Sequence, residues 1–190
     1  MVGYPTKKTV HSNPNVYIGN RGMSFEDEIN ESNEYYIAHE KALIHKKPTP
    51  IQIVKVNYPS RNKAKIVEAY FRTPSTTDYN GIYKGRPIDF EAKQIQSKVS
   101  FPLQFIHAHQ VEHLRRVLKH GGIGFVLLRF TAYQETYLID AKDVIEKYDD
   151  PKTKSLTYEW VKEAGYQVKD GYQPRLNYLD VVDKVYFKGE

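Results

Sequence analysis

At 190 residues the chain is long enough to bury a real core as one domain, and having no cysteine it cannot use thiol catalysis, cysteine-ligated zinc or a disulfide scaffold, which suits a reducing cytoplasm. Its longest apolar run, 122–128, falls far short of a bilayer span, and its start lacks the apolar region of a signal peptide, so a cytoplasmic protein with no membrane partner is expected. The net charge is +5, yet residues 41–72 alone hold eight lysines and arginines against one acid, Glu68, a concentration that suits either a polyanionic partner or a solvated surface.

Residues 1–19 are polar and carry Pro5 and Pro14 without periodicity, which predicts a flexible arm ahead of a single domain over 20–190. Ser24 is suited to cap a helix reaching about residue 39, with Glu26, Asp27 and Glu28 placed favourably in its first turn. Short strands follow at 42–45 and 51–56, then a basic insertion over 57–65 containing Pro59, Arg61, Lys63 and Lys65, and a return to apolar character over 66–71. Strands are predicted at 76–82 and 87–93 around a glycine-containing turn at 83–86, and a helix over 106–120 closed by Gly121 and Gly122. The apolar run 123–130 reads as a buried central strand and 135–139 as its neighbour, followed by short helices over 140–148 and 155–164. Residues 178–187 fit either a helix or a strand, and the whole order is that of a mixed α/β domain.

The chemistry is concentrated around Asp78 and the stretch Ile88-Asp89-Phe90-Glu91-Ala92-Lys93. Strand side chains alternate, so Ile88, Phe90 and Ala92 share an apolar face while Asp89, Glu91 and Lys93 share the other. Thr76, Asp78 and Asn80 fall together on the preceding segment, and pairing the two segments as a hairpin brings Asp78 near Glu91. Two neighbouring carboxylates repel unless a cation lies between them. A hard divalent ion such as Mg²⁺ takes one or two carboxylates and several waters, and supplies what phosphodiester hydrolysis needs: a polarised phosphoryl oxygen, an acidified water and a stabilised leaving group. Lys93, on the face of Glu91, could hold the attacking water or stabilise the transition state. The same pattern also describes a solvated hairpin face with cross-strand ion pairs.

Gln110 shares a helical stripe with Ile106, Leu114 and Val117, which places an amide on an inward face. It suits either a hydrogen-bonded core position or an approach to the acidic pair. His107, His109, His113 and His120 lack the glutamate of an H-E-x-x-H zinc pattern, so zinc is not expected. Glu26, on the first helix, is a further acid that could approach the site.

Long strings of the chain resemble the RecU family of Holliday junction resolvases: Asn20-Arg21-Gly22-Met23, Ile44-His45-Lys46-Lys47-Pro48-Thr49-Pro50, Glu68-Ala69-Tyr70-Phe71, Ser75-Thr76-Thr77-Asp78-Tyr79-Asn80-Gly81-Ile82-Tyr83-Lys84-Gly85, Ile88-Asp89-Phe90-Glu91-Ala92-Lys93 and Ser100-Phe101-Pro102-Leu103. The resemblance runs from about residue 20 to 187 and leaves out the first 19. It implies a restriction-endonuclease-like α/β fold, a mixed sheet flanked by helices with a protruding basic stalk at about 57–72. It also implies a PD-(D/E)xK-type nuclease acting as a homodimer on four-way junction DNA, with recombination proteins as candidate further partners. Position by position, it implies Thr76, Asp78, Glu91 and Gln110 as ligands of Mg²⁺, with Mn²⁺ a candidate substitute, and Lys93 as the transition-state stabiliser.

The expected activity is therefore paired incision of a four-way junction, whose approximate two-fold symmetry matches that of a C2 dimer. Arg61, Lys63, Lys65 and Arg72 are the candidate phosphate contacts. Tyr58, Tyr70 and Phe71 could stack on unpaired bases, although Phe71 is equally an ordinary core residue and better suited to burial. Two other readings remain open: a junction-binding recombination regulator without essential nuclease activity, and a restriction-type enzyme for linear duplex.

Overall fold

The computed structural model describes residues 23–72 and 75–187, leaving the arm at 1–19 outside it, as well as the Arg61 side chain. Ser24 caps helix α1 (Phe25–Ala38) reciprocally: its hydroxyl accepts from the Asp27 N–H, and the Asp27 carboxylate accepts from the Ser24 N–H. Strand β1 (Leu43–Lys46) then pairs antiparallel with β4 (Tyr79–Tyr83), which forms a hairpin with β5 (Arg86–Ile95). A Cβ on Gly81 would collide with the Leu43 carbonyl, so glycine is what allows β1 to lie this close.

Helix α2 (Ala108–Lys119) carries the chain back so that β7 (Ile123–Phe130) pairs parallel with β5. Gly121 takes the positive φ of 77° that ends α2. Strand β8 (Glu135–Asp140) adds antiparallel to β7, and β10 (Tyr166–Val168) adds to β8. The result is one six-stranded mixed sheet in the order β1-β4-β5-β7-β8-β10.

Both faces of this sheet are covered. Helix α1 and helix α5 (Tyr178–Tyr186) pack on the face of Ile88, Phe90 and Phe125, where Tyr79, Phe90 and Phe125 stack at centroid distances of 4.8 and 4.7 Å. Helices α2, α3 (Ala141–Asp149) and α4 (Tyr158–Ala164) cover the opposite face through Leu114, Val144 and Val161 against Val126, Leu128 and Ile139. The mixed sheet flanked by helices is the architecture expected. Among the described residues no helix is long and apolar enough to cross a membrane.

Local expectations change at several places. The predicted strand over 76–82 begins only at Tyr79, so Thr76, Thr77 and Asp78 lie in the bend that leads into it. The predicted helix over 155–164 is split: β9 (Ser155–Thr157) pairs with β6 (Ser100–Pro102), burying Leu156 against Phe101, and Thr157 then caps α4 through the Trp160 N–H. Strands β6 and β10 carry too few residues to show a period and have no counterpart in the sequence reading. At the C-terminus the helix prevails, because Leu179, Val181 and Val182 can then be buried together.

A further change concerns the basic segment. Strands β2 (Ile51–Asn57) and β3 (Lys65–Phe71) pair only with each other, joined by a turn that includes a short 3-10 segment at Arg61–Lys63. The ribbon therefore starts at Ile51 and includes the strand predicted at 51–56, wider than the 57–72 of the stalk reading. Nearly every residue on both strands is exposed, including Phe71 at 82% where burial was expected. A two-stranded ribbon bare on both faces stands away from the body it is rooted in.

Candidate active site

Glu91 lies at the centre of β5 on the face turned toward α2, and it is 0% exposed. A solvated hairpin face does not bury its carboxylates, so that reading of the acidic pattern fails here. The β4–β5 register, continued one step beyond Tyr79 and Phe90, sets Asp78 opposite Glu91. The Asp78 backbone N–H donates to Glu91 Oε2 at 3.2 Å. Lys93 forms an ion pair with Glu91 Oε1 at 2.7 Å, and that buried oxygen has no other partner among the described residues.

Electrostatics follow from this burial. Desolvation pushes the Glu91 carboxyl up to about 8, reinforced by the hydrogen bond and charge of Asp78 and opposed by Lys93. Glu91 thereby keeps its proton at neutral pH. A buried carboxylate oxygen met only by an ammonium, beside a second carboxylate, can accept a hard divalent cation. The residues present therefore fit such an ion.

The other predicted residues surround this pair unequally. Thr76 is half-buried, with its hydroxyl donating to the Thr77 carbonyl at 3.3 Å, and it lines a cleft of about 650 Å³ together with Asp78. Gln110 is buried, but its Oε1 accepts from the His107 N–H at 2.9 Å as part of the α2 N-terminal cap. An amide oxygen has a second lone pair, so the cap does not prevent a further contact. His109 lies near Lys93 and Asp78, its imidazole held below the usual histidine range by burial first, then by His107 and Lys93.

Glu26 lines the same cleft as Asp78, where it forms an ion pair with Lys46. Arg72 is also on the cleft wall, at the foot of the ribbon, with its Nε donating to Gln52 Oε1 at 3.2 Å. Lys63 and Lys65 are exposed at the far end of the ribbon, near Tyr58, while the Arg61 side chain lies outside the described residues. The cleft thus joins the foot of the ribbon, at Arg72, to Asp78.

Two residues have a part that the sequence reading did not assign. Asp89 is buried beside Glu91 on the same face of β5, and Lys47 reaches it from the end of β1 with donor distances of 3.1 and 3.2 Å. The alternation along β5 is the signal that placed Asp89 there. Nothing local indicates Lys47, which is 42 residues away.

Known proteins are similar to this chain over most of its length. A protein from Bacillus cytotoxicus named Holliday junction resolvase RecU is 54% identical over 172 residues, covering 89% of this chain and 86% of the relative. Another of that name from Bacillus thuringiensis is 53% identical over 186 residues, covering 96% and 90%. Among solved structures, Hjc of Archaeoglobus fulgidus, a Holliday junction resolvase, aligns at a TM-score of 0.43 and 8% identity, over 73% of this chain and 94% of that one, a likeness too slight to argue from. The family model described as RecU, Recombination protein U, matches residues 20–184, and with relatives this similar over nearly their whole length the chain belongs to the RecU family.

Proposed function

We propose that this chain is a Holliday junction resolvase, an endonuclease that hydrolyses phosphodiesters at four-way DNA junctions with the help of a divalent cation. The half-buried Asp78 set against the fully buried Glu91, with Lys93 at 2.7 Å, carries the reading, since two carboxylates this close repel unless positive charge offsets them. Its relatives from Bacillus bear the name of that activity, and the exposed basic ribbon supplies a surface for the polyanion.

Asp78 and Glu91 are the anionic ligands in this proposal, with the neutral oxygens of Thr76 and Gln110 completing the protein's share. Mg²⁺ suits a site of two carboxylates and neutral oxygens, with Mn²⁺ as a substitute. When bound, such an ion polarises the phosphoryl oxygen and makes water a nucleophile at neutral pH. Lys93 keeps a compact positive charge beside the scissile phosphate, where negative charge develops on the phosphoryl oxygens. Arg72 holds the phosphate backbone at the cleft wall, and Arg61, Lys63 and Lys65 do so along the ribbon.

A junction with approximate two-fold symmetry is served by two copies of one site, so the proposal includes a C2 homodimer, each protomer cutting one strand. Junction shape and deformability then select the substrate more than base identity does. A cytoplasmic location is part of the same proposal, and a cysteine-free chain is compatible with it.

The deciding experiment is cleavage of a mobile four-way junction by the wild-type chain and by Asp78→Ala, with and without Mg²⁺. Paired nicks seen only with wild type and Mg²⁺ are expected, together with retained junction binding by the variant. Equal junction handling by both chains would favour a regulator without nuclease activity. Cleavage of plain duplex as fast as the junction would favour a restriction-type enzyme.

A further inference from the structure

Next to the acidic pair lies a second, separate group of charges. Asp89 is 8% exposed and its carboxylate is contacted from three directions. Lys47 Nζ donates to its two oxygens at 3.1 and 3.2 Å, Thr77 Oγ1 donates to Oδ1, and His113 Nε2 lies 3.1 Å from Oδ2. Lys47 Nζ also donates to Thr77 Oγ1 at 3.1 Å.

An ammonium has three protons, and three acceptors lie within reach of this one. Both lysines line the cleft, but the half-exposed Lys46 ammonium pairs with Glu26 whereas that of Lys47 is turned to Asp89 and Thr77. Despite its place in a basic segment, Lys47 is engaged within the protein, its ammonium paired with Asp89 and Thr77.

The segments tied together are those that carry the acidic pair. The Lys47 backbone N–H donates to the Asp78 carbonyl at 2.7 Å, while its side chain holds Thr77, the residue before Asp78. Asp89 precedes Glu91 by one full strand repeat on the same face of β5. His113 lies one helical turn beyond Gln110 on α2. Thr76, Thr77 and Asp78 precede β4, and beside the Asp78 N–H bond to Glu91 it is Lys47 that holds this segment, from both its backbone and its side chain.

We propose that Lys47, through its buried ion pair with Asp89 and its grip on Thr77 and the Asp78 carbonyl, is a positioning residue that sets the separation of Asp78 and Glu91 for cation binding. This rests on the reading of Asp78 and Glu91 as the cation's ligands. Neither Lys47 nor Asp89 touches the reacting atoms. Removing either should weaken the ion's hold while leaving the ligands in place, as losing a partner that orients a ligand does, by about 10- to 100-fold.

The test is Mn²⁺ alone, titrated into the full DNA-free chain and followed by loss of the free ion's electron paramagnetic resonance signal. Lys47→Met and Asp89→Asn are each expected to weaken Mn²⁺ binding about tenfold or more. Lys47→Arg, which can still meet the Asp89 carboxylate, should recover part of the loss. The double variant should bind no more weakly than either single one, because the two residues act as one unit. Val144→Ala, in the core of α3 and remote from the pair, is the control for lost stability: a comparable fall in melting temperature should leave Mn²⁺ affinity unchanged.

Binding by Lys47→Met and Asp89→Asn within twofold of wild type, while Asp78→Ala abolishes it, would overturn the positioning role alone. An equal loss in Val144→Ala would overturn it too, by reducing the effect to stability. If Asp78→Ala bound Mn²⁺ as wild type does, the ligand reading beneath the proposal would fall instead. Should Lys47→Met not fold, Asp89→Asn and the double variant, which bury no uncompensated carboxylate, decide between the same outcomes.

Discussion

The backbone N–H of Asp78 donates to Glu91 Oε2 at 3.2 Å, so one acid's main chain holds the other acid's side chain. That bond fixes the pair before any cation arrives. It leaves Glu91 Oε1 to Lys93 and to the site, and the pair's behaviour follows from this division of the two oxygens.

Lys93→Ala is expected to lower single-turnover junction cleavage by about 100-fold or more, the scale of losing one group aimed at developing charge. Junction affinity in EDTA should stay near that of wild type, as measured by gel shift. A collapse of affinity in place of rate would make Lys93 a phosphate anchor.

The pH dependence has a definite sign. The Glu91 carboxyl is raised from 4.5 to about 8 by burial, so between those values the folded, metal-free chain holds a proton that the unfolded chain has lost. Its contribution to stability is therefore fully present at low pH and declines as pH rises toward about 8. Glu91→Gln should remove this decline, so that the variant gains on metal-free wild type in melting temperature as pH rises, by a few degrees. Cation binding must displace the same proton, and Mg²⁺ or Mn²⁺ affinity should rise with pH, at most about tenfold per unit, and level off above about 8. Calorimetry in buffers of different ionisation enthalpy counts that proton directly. Finding none released at pH 6.5 would contradict the protonated Glu91.

Replacing Arg61, Lys63 and Lys65 together with alanine should weaken junction binding and flatten its dependence on salt, by a slope of up to about 0.9 for each phosphate that is no longer neutralised. Lys63 and Lys65 are exposed, so the melting temperature should hardly move. An unchanged salt slope would refute a role for the ribbon's cations in holding phosphate.

Phe90→Ala should cost about 3–5 kcal/mol in chemical denaturation, the range for emptying a buried aromatic site. Phe90 is 0% exposed and lies between Tyr79 and Phe125 in the stack beneath the acidic face. A loss below about 1 kcal/mol would mean that the stack can close over the gap.

By itself the sequence determined what is periodic and local. The alternation of Ile88, Phe90 and Ala92 with Asp89, Glu91 and Lys93 was enough to put three charges on one face of a strand. The long apolar run was enough to mark β7, and Ser24 and Gly121 were enough to mark the ends of two helices. Tertiary structure alone decided which surfaces are covered. Ile53, Val54, Ile66 and Phe71 read as apolar strand residues, yet their ribbon pairs only with itself and leaves them exposed, whereas the charged face of β5 lies beneath α2. The choice of Lys47 as the partner of Asp89 was settled in the same way. Strand and helix periods reach only a few residues along the chain, while burial and the pairing of buried charges depend on which distant segments the topology packs together.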